Sequence, residues 1–194
     1  MALIAIRNNY TNKNEKPRFP KMEVVDAAFL YQPNFMGETR KRDGWIENRE
    51  GKRYFNLILE GDNLTRAMDE NWFIQKKEAA VSDDGREFPE RYYVQIGIDD
   101  REGRAPKIFI VKGNKIKAVY ENLERAVCKR LDEDRLVNVR LFVYASPYWS
   151  EKYGCWRTYA NLDKIYVEFK EDDVTCGGYY VSDDNDMPEE LPFN

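Results

Sequence analysis

The sequence predicts a mainly β protein: a compact antiparallel barrel or sandwich of roughly six to eight short strands with one or two short helices, followed by a disordered acidic tail. Three observations carry this expectation. Short segments rich in Val, Ile, Tyr and Phe alternate apolar with polar residues at a period of two. Turns containing Gly, Asn and Asp separate them, without the regular strand–helix alternation of a parallel α/β chain. From Glu171 to Asn194 there are eight carboxylates and no Lys or Arg, so the segment repels itself and has too little apolar surface to offset the entropy of ordering.

In chain order, Met1–Ile6 is an apolar run too short for a membrane span or a signal sequence, and reads as a strand start. Residues 8–22 are polar with two prolines and read as a flexible arm or loop. Met22–Tyr31 suits a strand ending near Pro33, and residues 34–45 form a basic, glycine-bounded loop. A turn at Asn48–Gly51 leads into a strand with Phe55, Leu57 and Leu59 on one face. Residues 62–72 fit a short helix with Asp62 or Asn63 as N-cap. Residues 72–77 read as a strand, 78–89 as a surface loop, and 90–98 as a strand alternating Tyr92, Val94, Ile96 and Ile98 against Arg91, Tyr93, Gln95 and Gly97. A hairpin turns at Gly113-Asn114, and Leu123, Ala126, Val127 and Leu131 have helical spacing. Two last strands, 135–146 and 157–170, flank an aromatic loop.

A chain of 194 residues, 42% hydrophobic and 34% charged, suits one domain (1–170) with an appended tail (171–194). Three widely spaced cysteines and no histidine argue against a disulfide framework and a structural zinc site, and the expected location is cytoplasmic. No cofactor, metal or membrane partner is expected. The net charge of −4 divides unevenly, because all 31 Lys and Arg lie in residues 1–170. A mildly basic body joined to an acidic tail is a polarity suited to nucleic-acid partners.

An enzyme reading finds little support. Without histidine there is no imidazole base, and neither glycine-rich phosphate loop is present. The acidic groups Asp99-Asp100 and Asp132-Glu133-Asp134 read as solvated turns, with a carboxylate-dependent nuclease as the rival. Aromatic residues interleaved with basic ones are more informative, since single strands bind to a cationic track beside flat side chains on which bases stack. The first such place joins Tyr31 and Phe35 to Arg40, Lys41, Arg42 and Trp45, then Lys52, Arg53 and Tyr54. The second is Arg91 and Tyr93 with Gln95. The third holds Tyr148, Trp149, Tyr153, Trp156, Arg157 and Tyr159. Phe55 and Tyr92 are in phase with aliphatic residues and are assigned to the core.

The acidic end finishing on Leu191-Pro192-Phe193 resembles the C-terminal tip of bacterial and phage single-stranded DNA-binding proteins, through Asp183, Asp184, Asp186, Glu189, Glu190, Pro192 and Phe193. Here Asn194 follows, where that family's tip usually stops on Phe. The body over residues 28–170 resembles the phage members through Asn34–Gly37, Gly51–Leu57, Trp72 and Val139–Tyr144. The resemblance implies an oligonucleotide-binding (OB) Greek-key barrel, binding of single-stranded DNA in phage replication or recombination, and a tail that recruits replication and recombination proteins while competing with DNA. The alternative is a structural or interaction protein of the virion with no nucleic-acid binding, and RNA is a nearer alternative ligand.

Overall fold

The computed structural model describes residues 9–42, 45–170 and 179–180, with side chains described for 9–41 and 48–170. The apolar start Met1–Ile6 and the tail residues Asp183, Asp184, Asp186, Glu189, Glu190, Pro192 and Phe193 lie outside the described residues. The strands are β1 (Met22–Val24), β2 (Arg40–Arg42), β3 (Trp45–Asn48), β4 (Tyr54–Leu59), β5 (Ile74–Lys77), β6 (Ala80–Val81), β7 (Glu87–Phe88), β8 (Arg91–Gly97), β9 (Lys107–Lys112), β10 (Lys115–Tyr120), β11 (Leu136–Ser150), β12 (Cys155–Phe169) and β13 (Tyr179–Tyr180). The helices are α1 (Gly61–Asp69) and α2 (Arg125–Glu133).

Period-two burial organises the main sheet. In β4, Phe55, Leu57 and Leu59 are buried while Tyr54, Asn56 and Ile58 are half-buried, so one face of the strand meets the core. The same pattern in β8 buries Val94 and Ile96. Nine strands form one sheet, in the order β1-β11-β12-β9-β10-β13, with β8 also on β12 and with β4 and β5 both on β8. β12 pairs antiparallel with β11 along its length but parallel with both β8 and β9. The sheet is therefore mixed, which corrects the all-antiparallel expectation. β10, α2 and β11 supply the long connection that lets β12 run parallel to β9.

β11 and β12 are 15 residues each, and they absorb most of what the sequence suggested was an aromatic loop. Only the turn between them remains, closed by Gly154 at φ +60. Register shifts after Val137 and after Phe142 bend the pair. Two short hairpins, β2–β3 and β6–β7, stand apart from the main sheet, where loops were expected.

The helices close the core. α2 buries Val127, Cys128 and Leu131, while Ala126 is exposed and Leu123 precedes the helix. α1 begins earlier than the expected Asp62 or Asn63 cap. Its N-cap is Glu60, which makes no capping bond because its carboxylate is held by Arg91.

Candidate nucleic-acid interface

Residues paired directly across strands share a face of the sheet, so the registers define the outward surface. Tyr54, Asn56 and Ile58 of β4 lie opposite Gly97, Gln95 and Tyr93 of β8. Across the other edge of β8, Gln75 and Lys77 of β5 face Tyr93 and Arg91. Asn161 of β12 sits beside Gly97, carrying Tyr159 and Arg157 onto this side, opposite Ser146 and Tyr148 of β11. Gly97 permits the close approach, since a Cβ there would lie 3.0 Å from Asn161 Oδ1.

The result is an aromatic track. Tyr148 and Tyr159 stack with centroids 4.4 Å apart, and Tyr159 is 57% exposed. Burial, reinforced by the Tyr159 hydroxyl, pushes the Tyr148 hydroxyl up to about 12. Further along, the Tyr93 hydroxyl donates to Gln75 Oε1 at 2.8 Å, and its ring meets Tyr31 edge-on at 6.4 Å. Lys77 Nζ lies 5.0 Å from the Tyr31 ring and 6.0 Å from Phe88. Between the two ends, Phe73 and Tyr159 stand beside a cavity of about 180 Å³ floored by Val94 and Ala160.

Arg157 is the unusual member. Only 5% exposed, its guanidinium lies 4.8 Å from the Phe73 ring and 5.2 Å from Tyr153. Its Nε is buried without a hydrogen-bond partner, and no carboxylate pairs with it among the described residues. Aromatic faces hold this cation in place without neutralising it.

The other candidates divide. Trp149 and Trp156 pair across β11 and β12 on the opposite parity to Tyr148 and Arg157, and pack edge-on at 5.9 Å. The arm covers them: Trp156 Nε1 donates to Asn12 O at 2.9 Å, and Lys13 Nζ sits 5.7 Å from the Trp149 ring. Residues 8–22, expected to be a free arm, are thus in part tied to the strands. Phe35 is corrected to a core residue, 0% exposed and stacked on Phe55 at 5.8 Å. Arg40 is committed to the carbonyls of Gln32 (2.9 Å) and Pro33, and Arg53 to Phe35 O and Asp100. Arg91 is held by Glu60. Lys41 and Lys52 are exposed, Tyr54 is half-buried, and Arg42 and Trp45 have backbone positions on β2 and β3 only. Tyr92, assigned to the core from its phase, stands half-buried beyond it, where the Glu90 carboxylate raises its pKa.

Several members of the track escaped the sequence reading: Phe73, Gln75, Lys77 and Phe88 were not singled out, because strand pairing alone brings them beside Tyr93 and Tyr159. A second ladder lies farther along β12, where Phe109 stacks on Tyr166 at 4.4 Å and Lys164 Nζ is 4.2 Å from the Phe142 ring. Alternation in β9, β11 and β12 was a usable signal for it.

The acidic groups are tied to the protein itself. Arg101 donates to Asp99 at 2.8 Å and holds its carboxyl down at about 2, while Asp100 pairs with Arg53. Asp132 is corrected from a solvated turn to a buried residue of α2, accepting the backbone N–H groups of Phe35 (2.6 Å) and Met36 (2.9 Å). Among the described residues, no group of three or more Cys, Asp or Glu is placed to hold a metal ion. No helix among them is long and apolar enough to cross a membrane. Compared with known proteins, the chain matches no protein-family model, no curated protein and no solved structure.

Proposed function

We propose that this chain is a non-catalytic, sequence-tolerant single-stranded DNA-binding protein of phage replication or recombination, its curved sheet serving as an OB-type barrel. The observation that carries this reading is Arg157, a buried guanidinium without a carboxylate partner, set beside exposed aromatic rings. A protein-internal role would normally supply a counter-ion to so buried a charge. A phosphate supplies one, and the neighbouring rings offer faces to the attached bases. The bases stack on Tyr159, Phe73 and Tyr93, with Lys77 beside them. Lys41 and Lys52 extend the cationic surface.

A dye-labelled dT oligonucleotide, followed by anisotropy at stepped salt, tests the reading. The expected result is binding at low salt that weakens with a slope of about −0.7 in log K per phosphate neutralised, and preference over duplex. No binding of the oligonucleotide at low salt overturns it. Anisotropy is the better probe than tryptophan emission, because Trp72 is in the core and Trp149 and Trp156 lie on the other parity.

The tail is proposed to recruit partner proteins and to compete with DNA through its carboxylates. Truncation after Tyr180 removes residues 181–194 and keeps β13 paired to β10 at Ala118 and Val119. This is expected to tighten dT binding several-fold at low salt, with the gain fading above ~0.1 M as screening shortens to about 10 Å. Unchanged or weaker binding of the truncated chain rules out the competitor role.

A further inference from the structure

We infer that the cleft between Phe73 and Tyr159 seats one unstacked thymine, read along its edge by Gln75 and Gln95; this rests on the single-strand reading above. The cleft has a definite origin in the topology. β8 pairs through Arg91–Val94 with β5 and through Ile96–Gly97 with β12. Gln95 falls between the two partners, so β5 and β12 diverge there and leave the cavity of about 180 Å³. At roughly 30 Å³ per water, that is room for about six waters, enough to admit a base ring edge-first. Phe73 and Tyr159, 38% and 57% exposed, supply flat surfaces at its mouth. Single-strand readers take splayed bases in this way, on aromatic faces with hydrogen bonds to the free edge.

The polar groups of the cleft select among bases. Gln75 Oε1 already accepts the Tyr93 hydroxyl at 2.8 Å, so the amide is oriented and offers the cleft its N–H donors. Gln95 is exposed and contributes both a donor and an acceptor. The cleft thus presents two donors and one acceptor. Thymine carries the complementary edge, an N–H flanked by two carbonyls. Cytosine replaces one of those carbonyls with an amino donor, which would meet a donor of the cleft. Arg157, against the other side of Phe73, is placed to hold the adjoining phosphate.

The test compares an all-dC oligonucleotide with the same length of dC carrying one central dT. Neither pyrimidine stacks strongly on itself, and a sequence-tolerant protein can slide until the single thymine reaches the cleft. Wild-type protein is expected to bind the one-thymine oligonucleotide several-fold more tightly. Gln75→Leu and Gln95→Leu should each bring that ratio close to one, with all-dC affinity kept within about twofold and circular dichroism unchanged. A ratio of one in the wild type, or a ratio that survives both substitutions, overturns the thymine seat while leaving single-strand binding intact. Failure of both oligonucleotides to bind overturns the single-strand reading and the seat together.

Discussion

Arg157→Met is expected to weaken dT binding about ten- to a hundredfold while leaving the fold as stable as before or more so. Hydrogen bonds to a charged group contribute about 1.5–3 kcal/mol, and each 1.4 kcal/mol is tenfold in affinity. Loss of one phosphate contact should also make the salt slope shallower by about 0.7. Stability moves the other way for a separate reason. Arg157 Nε is buried without a partner, a condition that costs about 1–3 kcal/mol, and Met fills a similar volume between the Phe73 and Tyr153 rings with favourable sulfur–aromatic contact. Arg157→Lys keeps the charge but loses the planar fork, so it should fall between the two. Anisotropy over a salt series and urea unfolding of the three proteins separate the effects. A loss of affinity accompanied by an equal loss of stability would make Arg157 a packing residue.

Much of the sheet was legible because burial in a half-covered strand has a period of two. Phe55, Leu57 and Leu59, and again Val94 and Ile96, announce both the strand and its inner face. The interface was legible only in part, and the failures have a common cause. Phe35 precedes Arg40–Arg42 in sequence, so it seemed to belong with them, but α2 draws it into the core through Asp132. Trp149 and Trp156 seemed members of one aromatic loop with Tyr148 and Tyr159. Once the segment is strand, parity sends Tyr148, Arg157 and Tyr159 to one face and the two tryptophans to the other. Phe73, Gln75 and Lys77 reach Tyr93 through a pairing of β5 with β8 that no local pattern encodes. Local sequence specifies which way a side chain faces, whereas the company it keeps on that face is set by register between distant strands.

Asp132→Ala should be the most destabilising single change near the interface, by about 2–4 kcal/mol in urea unfolding. Its two carboxylate oxygens each accept one backbone N–H, from Phe35 and Met36, and both donors would be left buried and unmatched at about 1–3 kcal/mol apiece. Asp132→Asn keeps one acceptor but turns an amide donor toward the other N–H, so it rescues only part of the loss. The pH dependence distinguishes the carboxylate from mere packing. Burial raises the Asp132 pKa despite the two amide bonds, so folding binds this proton more tightly than the unfolded chain does. Its contribution to stability is therefore fullest below the ordinary aspartate range and declines as pH rises through the folded pKa; Asp132→Asn should abolish that decline. The effect reaches the interface because Asp132 also anchors the segment on either side. Its backbone carbonyl accepts Gln32 Nε2 at 2.7 Å, and its carboxylate lies 3.9 Å from Arg40, between Tyr31 on the aromatic track and the β2–β3 hairpin that bears Lys41. Loosening this anchor should lower dT affinity in proportion to the contacts that Tyr31 and Lys41 make, while leaving the Tyr148–Tyr159 stack intact.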